Sequence, residues 1–462
     1  MEPHRNHARG GFASILALFF LALTCTFFVA LFAQTNTEMR KSENLHHAAE
    51  ARLAAESGLQ LMLYHLQQVP LPADTTDATL LANVHSALAQ RLDGTGNLDG
   101  ATVQNSGEEL SVPQIAIDSE GTFCCWISPM GDSRCRLKVK GSAHGLSRYL
   151  TMDLRLAPKL SGVFKYGLAS RGQIQVGGST RIVGLNDPSE ADVFSATTSQ
   201  EDAIYITGDS VEISGDLFLV GSSDYAVITG TPNIGGTTDP SLIPQHVHCG
   251  VPAPDFPEPD IAPLAALATN VVDASTDTGS GQVFSNIRIA AGTDPVFGSD
   301  AVVNGVVYVE APNIVKFTGN ATLNAIIVTE DSDQPLAACQ ITFSGTVEAN
   351  GVQALPDTPE FAAVKEHTGT FIVAPGFGVN FQGAANVIQG SVAADQIAFS
   401  GNAGGTLQGT LIGLADLPMS LDGHVSILVD KTSFDNDPAG FVRRMGLESV
   451  PDSYRELTAS PG

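Results

Sequence analysis

One stretch near the N-terminus, FASILALFFLALTCTFFVALFA, constrains this chain more than any other. It extends from Phe12 to Ala33 without a charged side chain. An α-helix needs about 20 predominantly apolar residues to span the hydrocarbon core of a bilayer. The stretch therefore predicts one membrane-spanning helix close to the start of the chain.

The charges on either side of this stretch predict its orientation. Arg5 and Arg9 precede it, whereas charges of both signs follow it between Glu38 and Glu56. Basic residues favour the cytoplasmic side of a membrane. Residues 1–11 are therefore expected to form a cytoplasmic leader. Everything after Ala33 is expected to lie in the periplasm or outside the cell, anchored in the cytoplasmic (inner) membrane.

Two plainer interpretations of the stretch are a cleaved secretory signal and a simple membrane anchor. The apolar region of a secretory signal has about 7–15 residues and ends in a small-x-small cleavage site. The run here is longer, and Leu31 stands where a small residue is needed in Leu31-Phe32-Ala33. The pattern disfavours a cleaved signal and leaves the simple anchor open.

The junction Arg9-Gly10-Gly11-Phe12 resembles the prepilin site of type IV pilins and type II secretion pseudopilins, in which a basic leader and a Gly precede an apolar helix. The resemblance implies that a prepilin peptidase cuts after Gly11 and methylates Phe12. The family usually has Glu at the fifth mature position, where this chain has Leu16. In the family that Glu pairs with a neighbouring subunit's amine during assembly, so its absence argues against a major, filament-forming pilin and is compatible with a minor or tip-like subunit.

A second helical pattern continues beyond the membrane, over residues 38–68. Apolar side chains recur every three or four residues, which predicts one helix from Phe12 to about Gln68, ended by Pro70 and Pro72. The predicted stripe contains Leu45, Ala49, Leu53, Ala55, Leu59, Met62 and Leu66.

Residues 9–66 also resemble the N-terminal region of PilX-type pilus assembly proteins, through Ala48-Ala49-Glu50 and the run from Ala54 to Leu59. This resemblance implies that other pilin-like subunits are partners. The alternative from the pattern alone is a juxtamembrane coiled segment.

The acidic composition limits the partners of the chain. The net charge is −26 and the isoelectric point is about 4.6. Such a surface repels nucleic acid and anionic lipid headgroups, so neither is expected as a partner beyond the spanning helix. No Asp-x-Asp-x-Asp-Gly calcium loop is present, and no cofactor is predicted.

Five cysteines follow the predicted membrane helix and would face an oxidising compartment. Cys135 is predicted to form a disulfide with Cys124 or Cys125, because the segments around Gly131-Asp132 resemble a hairpin. Five is an odd number, so at least one thiol stays free. A zinc site is the alternative, and the spacing of the cysteines does not support it.

Residues 73–157 are predicted to form a small α+β unit. Apolar spacing predicts a helix over 78–92, and strands are predicted at 114–118, 122–128, 134–141 and 147–156. A helix against an antiparallel sheet is also the arrangement of the pilin head, by resemblance. An unrelated α+β spacer is the alternative.

From Ser161 the sequence becomes a series of short apolar runs, each ended by Gly, Asn or Asp. Strands of three to five residues without intervening helices favour a mainly-β, right-handed β-solenoid over 161–462 rather than a β-sandwich. Eight prolines in 231–285 predict a surface excursion, with a helix over 261–272. Asp437-Pro438 and Gly446 predict a C-terminal helix that caps the solenoid.

Residues with catalytic potential are few. His246, His248 and Cys249 lie within four residues of one another, but further metal ligands are not evident, so no metal site is assigned. No nucleotide-binding or hydrolase motif is present. The sequence favours a non-enzymatic minor pilin or pseudopilin with an unknown extracellular ligand. A membrane-tethered carbohydrate-active enzyme and a surface adhesin are the alternatives.

Overall fold

The chain forms two compact units, each of which is described by itself. The computed structural model describes residues 11–117, 121–198, 202–222, 225–432 and 438–457. Unit 1 contains the chain up to Lys159 and again from Arg444, and unit 2 is Leu160–Arg443. Unit 2 is therefore an insertion within the sequence of unit 1. The predicted leader lies outside the described residues except for Gly11.

Unit 1 combines helices with one antiparallel sheet, and its elements are numbered along the whole chain. They are α1 (Gly11–Gln68), β1 (Leu71–Pro72), α2 (Leu80–Leu92), β2 (Gln104–Asn105), β3 (Leu110–Ala116), β4 (Gly121–Gly131), β5 (Arg134–Ala143), β6 (Leu146–Pro158), β32 (Arg444–Ser449) and β33 (Arg455–Leu457). The order in the sheet is β1-β32-β6-β5-β4-β3-β2, and β33 also pairs with β6. A helix and four long strands thus occur where the sequence predicted them.

The C-terminal segment differs from the prediction. Among the described residues after Asp437 there is no helix, and Arg444–Ser449 and Arg455–Leu457 are strands that pair antiparallel with β6. Leu447 is buried in the core of unit 1. The physical reason is that β6 has β5 on one side only, and these two short strands satisfy the backbone groups on its other side.

The second half of α1 packs against the sheet through small side chains. Ala51 and Ala55 are fully buried. A Cβ on Gly141 of β5 would lie 2.2 Å from the Ala51 carbonyl oxygen, and a Cβ on Gly58 of α1 would lie 2.5 Å from the Phe123 ring. Both distances are far below van der Waals contact, so the close approach of helix and sheet requires glycine at both positions.

The buried face of α1 begins later than the predicted stripe. Ala55, Leu59, Met62 and Leu66 are buried, whereas Leu45 and Leu53 are 72% and 61% exposed. Ala51 and Ala54 are buried in their place. Leu45 and Leu53 continue the four-residue spacing but lie on another side of the helix, because the spacing alone does not set the azimuth of the contact.

Unit 2 is built mostly from short strands. Its strands are β7 (Leu168–Ser170), β8 (Ile174–Val176), β9 (Arg181–Gly184), β10 (Val193–Ser195), β11 (Ile204–Thr207), β12 (Glu212–Ile213), β13 (Leu217–Leu219), β14 (Ala226–Thr229), β15 (Asn233–Ile234), β16 (Val247–Cys249), β17 (Asn270–Val272), β18 (Val283–Ile289), β19 (Val296–Phe297), β20 (Val302–Val309), β21 (Asn313–Thr318), β22 (Ala321–Thr329), β23 (Cys339–Ser344), β24 (Val347–Ala349), β25 (Thr370–Phe381), β26 (Ala384–Gln389), β27 (Ser391–Gly401), β28 (Gly404–Gln408), β29 (Leu411–Gly413), β30 (Met419–Gly423) and β31 (Ser426–Val429).

Helical segments in unit 2 are short. There is one α-helix, α3 (Ala262–Ala265), among its described residues. The 3₁₀ turns that lie wholly within the described residues of unit 2 are Gly162–Lys165, Pro188–Ala191, Ile243–His246, Leu336–Ala338, Val352–Ala354 and Val364–Glu366.

The strands of unit 2 pair in parallel along three ladders, and the longer strands bend from one ladder into the next. The first ladder has the order β17-β18-β20-β22-β25-β27-β29-β7-β10-β13-β16. The second is β19-β21-β23-β25-β27-β30-β8-β11-β14, and the third is β18-β20-β22-β24-β26-β28-β31-β9-β12-β15. Each pass of the chain through the three ladders therefore lies beside the pass before it, and residues at equivalent positions are paired.

The chain enters this stack in the middle rather than at an end. Strands β7, β8 and β9 pair on one side with β10, β11 and β12, which follow directly. On the other side they pair with β29, β30 and β31, the last strands of the unit. The segment between β16 and β17 carries the chain from one end of the stack to the other.

The proline-rich segment is shorter and more embedded than the predicted excursion over 231–285. The strands β15, β16 and β17 and part of β18 lie inside those limits. The predicted helix over 261–272 is limited to Ala262–Ala265, and Asn270–Val272 is a strand. Phe256 and Leu264 are buried in a cluster with Phe194 and Phe441. These apolar anchors hold the segment on unit 2 although its prolines cannot donate ladder hydrogen bonds.

A column of phenylalanine rings forms the interior of the second ladder. Phe297, Phe317, Phe343, Phe381 and Phe399 stack with centroid separations of 4.9, 5.2, 4.9 and 4.6 Å. All five side chains are buried. The in-register pairing of their strands places each ring directly on the next.

Replacement of Phe343 by Ala tests this column. We expect a loss of about 3–5 kcal/mol in the free energy of unfolding, because the ring is buried between two stacked neighbours. The measurement is urea unfolding of the full chain in detergent, followed by circular dichroism of the strands. Val283→Ala is the control, since Val283 is 66% exposed and its loss should change stability by less than about 0.5 kcal/mol. Equal effects of the two substitutions would contradict a buried column.

Candidate functional site

The first half of α1 is exposed at every residue whose burial the structure describes, from Ser14 onward. The apolar window near the N-terminus of this helix is 0% buried, and it is long and apolar enough to cross a membrane. At 1.5 Å per residue the whole helix is about 87 Å long, which is far more than the thickness of a bilayer. The exposed half is therefore consistent with a single-pass membrane anchor.

The predicted processing residues lie at the start of this helix. Gly11 and Phe12 are the first two residues of α1. Leu16, at the fifth position after the predicted cut, is 48% exposed within the apolar half. A carboxylate at this depth would be costly unless it were paired, whereas Leu16 is compatible with a lipid or protein environment.

The predicted disulfide partners are not brought together. The hairpin predicted around Gly131-Asp132 is present, but it pairs Cys125 with Val139 and Cys124 with Lys140. Cys135 is four residues from Val139 along β5, which is about 14 Å at 3.4 Å per residue. A disulfide needs Cα atoms about 4.4–6.8 Å apart, so this register keeps all three as free thiols.

Burial governs the chemistry of these thiols. Desolvation raises the pKa of Cys135 to about 12 and raises the pKa of Cys125 well above its usual range. Both therefore stay protonated at neutral pH, and a protonated thiol is a poor nucleophile.

The histidines of the Gln245–Cys249 motif bind one carboxylate. His246 Nδ1 lies 2.8 Å from Asp216 Oδ1, and His248 Nε2 lies 2.7 Å from Asp216 Oδ2. The His248 ring also stacks on Phe218, with centroids 4.7 Å apart. Burial opposes ionisation of Asp216, but the hydrogen bonds with His248 and His246 outweigh it and lower the pKa of this carboxyl.

Parallel register explains how these residues meet. Val247 pairs with Leu217, so Asp216 and His246 occupy equivalent positions just before their strands. Asp192 precedes Val193 at the same position, and its side chain accepts a hydrogen bond from the Asp216 backbone N–H at 2.9 Å. Sequence analysis noted the histidines but missed Asp192 and Asp216. Alignment of the three short runs one above another would have found them.

Lys431 lies close to this column and was also missed. Its Nζ donates to the Phe164 carbonyl at 2.9 Å and to the Tyr166 carbonyl. Desolvation lowers the pKa of Lys431 to about 7, although Asp192 and Glu190 favour its charged form. A neutral amine keeps two N–H donors, which matches its two carbonyl acceptors. The contacts of Lys431 hold the first segment of unit 2 against the last.

Comparisons with known proteins find a likeness to solved structures and none to a sequence family. No model of a known protein family matches the chain, and no curated protein sequence matches it. The crystal structure of the competence-associated pilin ComZ from Thermus thermophilus is similar at 13% identity and a TM-score of 0.28. The likeness covers 89% of this chain and 98% of that chain.

The depressed pKa of Lys431 predicts how stability changes with pH. The folded state releases the Lys431 proton near pH 7, whereas the unfolded chain holds it to about pH 10.4. The unfolded state binds more protons between these values, so stability should rise with pH above 7, by up to about 1.4 kcal/mol per unit.

Urea unfolding at pH 6, 7 and 8 measures this dependence. The rise from pH 7 to pH 8 should be absent in Lys431→Met, which has no titrating group at this position. The range ends at pH 8 because thiols in the unfolded chain ionise near pH 8.5. Parallel stability profiles for the two proteins would contradict the assignment.

Proposed function

We propose that the chain is a non-enzymatic, membrane-anchored minor pilin or pseudopilin of the PilX-like kind. It joins or primes a type IV pilus or secretion filament and displays unit 2, a right-handed β-solenoid, outside the cytoplasmic membrane. The observation that carries this proposal is the difference in surroundings between the two halves of α1. One half is apolar and exposed, and the other half packs one face, from Ala51 to Leu66, against the sheet of unit 1.

A filament subunit with a helical stalk needs these two different halves of one helix. The buried half fixes the helix to a folded head through Ala51, Ala55 and Leu59. The exposed half contains only apolar residues and small hydroxyl or thiol residues between Ser14 and Ala33. Such a surface is stable in a bilayer or when packed against equivalent helices of other subunits.

Prepilin peptidase and other pilin-like subunits are the proposed partners. The peptidase would act at Gly11-Phe12, before the helix. The other subunits would contact the exposed half, where Leu16 replaces the usual acidic residue. A subunit without this carboxylate lacks one assembly contact, which fits a minor component better than the repeated subunit of a filament.

A non-enzymatic role is supported by what the charged groups of unit 2 do. Lys431 binds two backbone carbonyls, and Asp216 is engaged by two histidines. Asp192 accepts a backbone hydrogen bond. These groups therefore stabilise the fold of unit 2 through contacts within the chain, and we propose no catalytic role for them.

Mass spectrometry of the mature N-terminus tests the proposed class. The chain should begin at N-methylated Phe12, because the peptidase of this family cuts after the Gly that corresponds to Gly11. Gly11→Val should leave the precursor uncut, and Gly10→Ala is the matched control that should be processed. An intact Met1, or a start near Gln34, would show a simple anchor or a secretory signal instead.

Incubation of the purified full chain with acidic and neutral polysaccharides tests the non-enzymatic part. We expect no release of oligosaccharides, because the candidate acid and base groups are held by internal hydrogen bonds. Release that persists through purification and disappears in Asp216→Asn or Lys431→Met would overturn this part and identify a tethered carbohydrate-active enzyme.

A further inference from the structure

A group of imidazoles and one carboxylate lies where α1 meets the turn between β5 and β6 in unit 1. His47, Glu50 and His144 each offer a ligand atom, and these atoms lie within 4.8 Å of one another. His144 Nε2 is 3.2 Å from Glu50 Oε2. The rings of His47 and His144 stack with their centroids 4.2 Å apart. Neither the membrane half of α1 nor unit 2 takes part in this group.

The backbone presents these side chains from two firmly held elements. His47 and Glu50 are three residues apart on α1, so they share one face of the helix. Ala143 pairs with Leu146 across the hairpin, which leaves His144 and Gly145 as a two-residue turn. Both turn residues have positive φ, 48° and 80°, as a type I′ turn requires. This tight turn fixes the position from which His144 reaches the helix.

The hydrogen bonding of Glu50 leaves one ligand atom unused. Its Oε2 is shielded from solvent and accepts no hydrogen bond of good geometry, and its one close contact is His144 Nε2 at the ion-pair distance of 3.2 Å. Its other oxygen, Oε1, lies 3.1 Å from His46 Nε2. A shielded carboxylate oxygen without a hydrogen bond is costly in a protein, and a bound cation would offset this cost.

We propose that His47, Glu50 and His144 bind a divalent transition-metal ion, with Zn²⁺ as the best match. Two imidazoles and one carboxylate form a ligand set that zinc uses, with a fourth position left for water. Ligands about 2.1 Å from a tetrahedral ion lie about 3.4 Å apart, which is close to the separation between His144 Nε2 and Glu50 Oε2. His46 is the outer partner that orients Glu50 for binding through Oε2.

The bound ion would tie α1 to the β5–β6 turn at the point where the helix enters the head. Residues before His46 on this helix have little burial, and Ala51 starts the buried face. A metal bridge at this position would extend the fixed part of the helix toward the membrane by about one turn. It would thereby stiffen the stalk against unit 1.

Calorimetric titration of Zn²⁺ into the full chain tests the site. The protein carries no polyhistidine tag, is stripped with a chelator, and carries His4→Ala and His7→Ala so that leader histidines cannot contribute. We expect one tight equivalent of Zn²⁺. Co²⁺ should occupy the same site and show the strong visible absorption that is typical of four-coordinate Co²⁺. Absence of a stoichiometric equivalent would overturn the proposal.

Two double variants locate the ion. His47→Ala/His144→Ala should abolish the tight equivalent, whereas His246→Ala/His248→Ala should retain it, since the latter pair is already engaged by Asp216 in unit 2. Binding that survives in the first variant, or disappears in the second, places the ion elsewhere and rejects the site.

A conservative variant separates ligand loss from misfolding. Glu50→Gln keeps the size of the side chain and should leave the helix intact. Circular dichroism checks that the helix content is unchanged. Loss of an outer-shell partner typically weakens metal binding by about 10–100-fold. Loss of the carboxylate ligand should weaken it at least as much, and His46→Gln should give the smaller effect. Unchanged affinity in Glu50→Gln would exclude a carboxylate ligand and contradict the proposed set.

Discussion

The fold of unit 2 depends on parallel hydrogen bonding between strands that are far apart in sequence. Leu168 pairs with Leu411, Ile174 with Met419, and Arg181 with Ser426. This pairing joins the first strands of the unit to the last, so the chain enters and leaves the stack at adjoining passages. Lys431 strengthens the same junction through the carbonyls of Phe164 and Tyr166. In unit 1, the Lys159 N–H donates to the Arg444 carbonyl at 2.9 Å, so the ends that flank the insertion are also adjacent.

The helix α1 shows a different constraint, which is the distance between two backbones. Gly141 and Gly58 have no room for a Cβ, and Ala51 and Ala55 lie at the same contact. Ala55 and Gly58, which belong to the run that resembles a PilX-type helix, therefore have a packing explanation within this chain. Larger residues, Leu59, Met62 and Leu66, fill the wider space farther along the helix. The taper from small to large side chains sets how the helix lies on the sheet.

Local sequence patterns predicted most helices and strands of unit 1. They did not predict the register between its strands or the order of the strands in the sheet. Apolar periodicity predicted α2 and the second half of α1, because each buries one continuous face, and the uncharged apolar run predicted the first half of α1. The periodicity placed Leu45 and Leu53 on that face wrongly, since spacing does not say where contact with the sheet begins. The turn at Gly131-Asp132 was predicted, but the register shift between Pro129 and Gly131 was not, and the resulting register pairs Cys125 with Val139 and Cys135 with Pro129. The pairing of the strands in residues 444–457 with β6 could not be predicted from a local pattern. Such short strands form because they supply hydrogen-bond partners to the free edge of β6.

Parallel register also explains which residues can occupy unit 2. Side chains at equivalent positions of successive strands lie side by side in a column. Each side chain in a column must therefore pack favourably against the side chains above and below it. Phenylalanines form one such column, and asparagines form another, in which Asn324 and Asn350 each donate to the preceding amide. A column of carboxylates would repel itself. The acidic column Asp192, Asp216 is therefore continued by His246, and its second carboxylate is bound by both histidines. In this column the carboxylates of a highly acidic chain meet a backbone N–H donor and two imidazoles, which compensates the repulsion that the register would otherwise cause.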